Sequence, residues 1–181
     1  MQFSKAPVIK EVLWQPPILN WMKCNSDGAS SGNPGNSSCG GIFRNAEAIF
    51  KGAFAINLGI QSSLFAELMG AMIAIEIAHQ NGWKQLWLET DSMLVIAAFK
   101  DLKIVLCVLR NRWENCIYLT SSMDFFVSHI YRKGNSCADA MANLGLSLPH
   151  TSTHSWWSSM PQVMSIDFAR NRLDLPCFRF C

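Results

Sequence analysis

The alternation of apolar and polar positions changes period twice along the chain. "WMKCNSD" (21–27) has the short β-rich character of a strand and ends on Asp27. "CGGIFRN" (39–45) and "AIFKGAFAINL" (48–58) follow as two more strands, with a turn at 45–47. Three short strands in succession predict an antiparallel meander. From 61 to about 81 the spacing becomes helical, with Leu64, Leu68, Ala71, Ile75 and Ala78 on a shared stripe. Asn81-Gly82 is a helix stop. Beyond it, "KQLWLE" reads as a strand and "DSMLVIAAF" as a helix. A helix over 105–119, a strand in "MDFFVSHIY" and a helix in "SCADAMANLG" complete the pattern.

Strands joined through helices run parallel with right-handed crossovers. The expected fold is therefore α/β: a mixed five-stranded sheet, three antiparallel strands followed by parallel ones, flanked by helices. Residues 1–20 carry Pro7, Pro16 and Pro17 without a sustained period and read as a leader or linker. Residues 21–146 form the expected domain. Residues 147–181 have no clean period and read as a tail, docked through Trp156, Trp157 and Phe168.

Composition narrows the function. Of 181 residues, 50% are hydrophobic and 15% charged, enough for a packed core. A formal net charge of +2 excludes a strongly cationic DNA wrapper. It is compatible with an enzyme whose basic groups are local and whose acids surround metal ions. The seven cysteines include no C-x-x-C pair, and an odd count argues against a disulfide framework. Free thiols, no signal-peptide apolar core and no run approaching the roughly 20 apolar residues of a membrane span predict an intracellular protein, nuclear or cytoplasmic.

The chemistry rests on four acids, each with an ordinary explanation. Asp27 opens an Asp-Gly turn signal. Glu67 sits at the edge of a helical apolar stripe, from which its carboxylate can reach solvent. Asp91 stands where a strand gives way to a helix, an N-cap position. Asp139 closes the S-x-x-D pattern of Ser136, Cys137, Ala138 and Asp139, a capping box. Taken together they suggest more. Asp27 and Asp91 meet at one sheet edge if their strands are parallel neighbours, with Glu67 and Asp139 delivered by the packed helices. Converging carboxylates repel, so such a cluster requires cations. All-oxygen ligands favour Mg²⁺ or Mn²⁺ over zinc.

"NSDGASSGNPG", "FAELMGAMIAI", "LWLETDSMLVI" and "VSHIYRKGNSCADAMANLGL" resemble, in order, the motifs of type 1 ribonuclease H. More closely, the chain looks like the plant ribonuclease H-like domain found alone or at the end of LINE-type retroelement polyproteins. The resemblance implies Mg²⁺-dependent hydrolysis of the RNA strand of an RNA–DNA hybrid, leaving 5′-phosphate and 3′-hydroxyl ends. Mn²⁺ is the expected substitute ion, and a monomer the expected state. Carried over, Asp27 bridges two metal ions, Asp139 helps hold the ion on the nucleophile side, and Glu67 and Asp91 hold the other. Two ions about 3.5–4 Å apart activate water and stabilise the departing oxygen.

The resemblance also gives His129, ten residues before Asp139, a role in water activation or product release; the alternative is a polar fastening of a strand end. Arg132 would hold a phosphate and Asn135 the loop before Asp139, against a surface salt bridge and a turn. Ser30 and Asn33 match positions facing the hybrid's minor groove, where shape, phosphate and 2′-hydroxyl are read. Two features depart from cellular relatives. Met93 stands in place of a base-contacting Gln, and no Lys cluster lies between Asp91 and His129, Arg110 and Arg112 being the nearest substitute. Weak, salt-sensitive binding follows. The competing reading is a retroelement-derived nucleic-acid-binding module with weak or lost catalysis. A structural domain with chance caps is the third.

Overall fold

Apolar residues on both sides of a strand require cover on both faces, and the central strands of this chain have it. The computed structural model describes residues 9–151 and 153–180. β1 (Ile9–Val12) is followed by β2 (Met22–Ser30), β3 (Gly35–Arg44) and β4 (Phe50–Gln61). Then come α1 (Ser63–Gln80), β5 (Gln85–Thr90), α2 (Met93–Ala98), α3 (Arg110–Thr120) and β6 (Asp124–His129). α4 (Ser136–Leu146), β7 (Ser155–Trp157), α5 (Ser165–Arg172) and β8 (Cys177–Phe180) complete the described chain.

The main sheet has the order β6-β5-β2-β3-β4-β7. β2, β3 and β4 pair antiparallel, while β5 is parallel to both β2 and β6. These are the five predicted strands in the predicted sense. The sixth, β7, comes from the segment expected as a tail and pairs antiparallel with β4. Its three residues are too few to show a period. A separate ribbon joins β1 to β8, so residues expected as leader and tail form an element together.

β3 shows how the layers are built. Cys39 and Phe43 pack in the apolar cluster with α1, whereas Ile42 packs in a second cluster with Met141 of α4, Met164 and Phe168. α1 and α4 therefore cover opposite faces. α1 is buried around most of its circumference, well beyond the predicted stripe, because α2 and α3 pack on the side turned away from the sheet. Helix α3 begins at Arg110, five residues later than expected. A 3₁₀ turn at Cys107–Leu109 precedes it.

A third, smaller cluster ties the ribbon to the domain. Val12, Trp14, Ala48 and Ile130 are buried together, with Tyr131 and Cys177 packed against them. Trp14 is only 2% exposed. The Pro-flanked N-terminal segment is thus partly core.

Candidate active site

The Asp27-Gly28 pair is not a turn. β2 runs on through Ser30, paired with β3 from Lys23 to Ser30. The reversal falls after it, around Gly32 and Pro34. Gly28 serves a different purpose: a Cβ there would lie 2.5 Å from the Glu67 backbone nitrogen and 2.7 Å from the Ala66 carbonyl carbon. Only hydrogen at that position lets the first turns of α1 rest directly on β2. The same absence of a side chain that suggested a turn brings Glu67 against Asp27.

Three acids converge. β2 and β5 are parallel neighbours, with Ser26 opposite Thr90, so Asp27 and Asp91 arrive at the same edge. One carboxylate oxygen each from Asp27, Glu67 and Asp91 lie within 4.8 Å of one another. The helix cap after β5 is made by Ser92, whose hydroxyl accepts from the Val95 N–H, leaving Asp91 unspent. Asp139 stands beside this group. It lies in the first turn of α4 but forms no capping box; Arg132 donates to its Oδ1 at 3.0 Å and Asn143 to its Oδ2 at 3.1 Å.

The cluster is electrostatically loaded. Asp27 is 3% exposed. Burial, then the charges of Glu67, Asp91 and Asp139, push its carboxyl up to about 9, against the one favourable bond from the Gly28 N–H at 2.8 Å. Burial and the Asp91 charge push Glu67 up to about 8. Glu67 Oε2 is buried without any hydrogen-bond donor. An ionised acceptor left orphaned beside two other carboxylates is costly unless a proton or a metal cation neutralises it. The donors are all hard oxygens, with no His or Cys among them, so the set fits a divalent ion of the Mg²⁺ or Mn²⁺ kind.

The surrounding residues have definite partners. Asn135 donates to Asp91 Oδ1 at 3.1 Å and to the Ser26 carbonyl at 3.0 Å, so it braces Asp91 as well as the loop before α4. His129 Nε2 is 3.2 Å from the Asp91 carbonyl oxygen, and its ring stands edge-on to Tyr131. Ser30 bonds within its own loop, to Gly32, and Asn33 accepts from the Ser63 N–H at 3.1 Å. Ser30 thus ends the strand that carries Asp27, and Asn33 is tied to the start of the helix that carries Glu67. Met93 is exposed beside Asp91. Arg112 is committed elsewhere: its guanidinium makes paired bonds of 2.8 and 2.7 Å to Glu76 of α1.

A buried network behind the site escaped the sequence reading. Asn25 donates to Glu89 Oε2 at 2.9 Å and to Asn135 Oδ1 at 3.2 Å, while its own oxygen accepts from Trp14 and Arg44. Glu89 also pairs with the buried Lys23 at 2.9 Å. Asn25 and Asn135 are 110 positions apart. No local spacing could join them.

The family model described as "Reverse transcriptase-like" matches residues 25–145, a span that contains all four acids. The chain belongs to this ribonuclease H-like family. It is 32% identical over 146 residues to an Arabidopsis thaliana protein provisionally named as a ribonuclease H, covering 75% of this chain and 22% of that one. The chain thus spans about a fifth of the length of that relative. Among solved structures, ribonuclease H1 from the halophilic archaeon Halobacterium salinarum NRC-1 is similar, with a TM-score of 0.63, 27% identity, and coverage of 69% of this chain and 96% of the other. LC11-RNase H1, solved in complex with an RNA/DNA hybrid, shares the fold at a TM-score of 0.62, 19% identity and coverage of 69% and 96%. The ribonuclease H-like core therefore accounts for β2 to α4. The β1–β8 ribbon, β7 and α5 lie outside the matched span.

Proposed function

We propose that this chain is a divalent-metal-dependent endoribonuclease that hydrolyses the RNA strand of RNA–DNA hybrids. The observation that carries the proposal is the convergence of Asp27, Glu67 and Asp91 within 4.8 Å, with one Glu67 oxygen buried and unbonded. Membership of the ribonuclease H-like family and a fold relative solved with RNA/DNA hybrid support the choice of substrate.

Asp27, Glu67 and Asp91 would hold the divalent metal, with Asp139 beside them as a further ligand. When bound, Mg²⁺ supplies the charge that activates water and stabilises the departing 3′ oxygen. The chain's own residues set the geometry. Asn135 orients Asp91, the Gly28 N–H orients Asp27, and Arg132 holds Asp139 until a ligand competes for it. His129, at the rim beside Asp91, would relay a proton or assist product exit. Ser30 and Asn33 would present the opening loop to the minor groove.

The test is cleavage of a labelled RNA–DNA hybrid with millimolar Mg²⁺, alongside Asp27→Asn. The wild type should cut the RNA strand to products with 3′-hydroxyl ends. The variant should lose at least about 10²-fold in rate, as expected when an electrostatic centre of the transition state is removed. A folded wild type that binds hybrid but leaves it intact would sink the enzyme reading and leave a binding module.

A further inference from the structure

The exposed Lys cluster that would grip substrate is missing, and Arg112 is tied to Glu76. A basic surface nevertheless exists next to the carboxylates. A cleft of about 610 Å³ opens beside the site, lined by Asp91, His129, Arg132, Lys133 and Arg179, with Tyr131 and Met93. Arg179 comes from β8, at the far end of the chain and outside the residues that match the family. Among the described residues, neither Lys133 nor Arg179 makes a salt bridge. Both are exposed.

The placement of Arg179 is structurally determined. β8 pairs with β1 over four positions, and the ribbon is pinned by the cluster of Val12, Trp14 and Ile130, with Cys177 packed against it. The Arg179 guanidinium lies over the Tyr131 ring at 4.5 Å, an attraction that restricts its long stem while leaving its N–H donors available. Lys10 stands directly opposite Arg179 in the ribbon, so the two side chains share a face. Tyr131 in turn carries the edge contact to His129. β8 is thereby brought to the rim of the carboxylate cluster.

We infer that this cleft binds the backbone phosphate of the hybrid next to the scissile bond, with Arg179 of the C-terminal strand as its principal cation and Lys133 as the second. The inference rests on the hybrid as substrate. A phosphodiester in this cleft must be held by positive charge, because Asp91 in the same lining repels it. Arg offers a planar fork that fits phosphate oxygens, and its hold on Tyr131 reduces the entropy lost on binding. The contact is with the backbone, so it adds affinity for every sequence alike. The β1–β8 ribbon then replaces, from the chain ends, the basic grip absent between Asp91 and His129.

The experiment measures binding of a fluorescent RNA–DNA hybrid by anisotropy, using the full chain carrying Asp27→Asn so that substrate stays whole. Arg179→Ala should weaken binding by about 5–10-fold at ~0.1 M salt, and the slope of log K against log salt should fall by about 1. Arg179→Gln, which keeps the stem over Tyr131 and removes only the charge, should show the same fall in slope. Arg179→Lys should restore the slope, and Arg172→Ala, on α5 and outside the cleft lining, should change neither quantity. Losses should be equal for hybrids of unrelated sequence. Parent binding with unchanged affinity and slope in Arg179→Ala and Arg179→Gln overturns the cleft and leaves the proposed substrate standing. A parent that binds no hybrid overturns both.

Discussion

Asp27 and Glu67 carry a heavy electrostatic load, and it acts on stability as well as on chemistry. Their ordinary values are 3.8 and 4.5, and burial with neighbouring charge raises them to about 9 and about 8. The folded chain therefore holds protons that the unfolded chain has released. Stability of the metal-free protein is greatest below about pH 4 for this pair and is lost as pH rises through the window up to about 9. Thermal melts without metal should give a lower Tm at about pH 8.5 than at about pH 5.5, and Asp27→Asn should flatten that difference and raise the Tm at the higher pH. Millimolar Mg²⁺ should raise the wild-type Tm more at the higher pH, where the carboxylates can ionise to bind it. A metal-free Tm independent of pH in both proteins would contradict the convergence.

At the level of elements, two glycines set how closely the helices approach the sheet. Gly28 admits α1, and Gly40 admits α4, where a Cβ would lie 2.5 Å from the Met141 carbonyl carbon and 2.6 Å from the Ala142 nitrogen. The obstructing atoms are backbone, so no side-chain rotation relieves the clash. Gly40→Ala should destabilise by about 1–3 kcal/mol or more, measured by urea denaturation. Gly28→Ala should cost a similar amount and also separate Glu67 from Asp27, lowering cleavage beyond what the lost stability explains. Equal activity per folded molecule would show that the Glu67 position does not depend on this contact. Element type was largely legible along the chain: the strand runs, the α1 stripe and the Asn81-Gly82 stop all appear where their local chemistry put them. The departures have local causes. The Asp-Gly signal marked a close helix contact instead of a turn, and Ser92 took the capping role open to Asp91.

Across the described residues, the segments on either side of the family-matched span help complete the fold. Met164 is fully buried and Phe168 is 6% exposed, both packed in the cluster with Ile42, Ala53, Ala55 and Met141. Removing residues 149–181 would open the apolar cluster beside α4 and delete β7, α5 and β8. The truncated chain should lose on the order of 5 kcal/mol, a large share of a typical domain's stability, with a lower midpoint and a smaller m value in urea. An unchanged midpoint would mean that the terminal segment contributes little packing.

The order of strands and helices, the four acids and the free thiols are properties of neighbours along the chain, because period, turn chemistry and capping act over a few residues. The α/β class and the shortlist Asp27, Glu67, Asp91 and Asp139 follow from them. Convergence does not. The 4.8 Å grouping, the Asn25–Asn135 bond across 110 positions and the raised carboxyls exist because distant segments share one low-dielectric space. The same holds for Arg179, an unremarked residue near the end of a patternless segment until β8 paired with β1 and carried it over Tyr131. Electrostatic work and backbone pairing depend on separation in space, and that is set by how the whole chain packs.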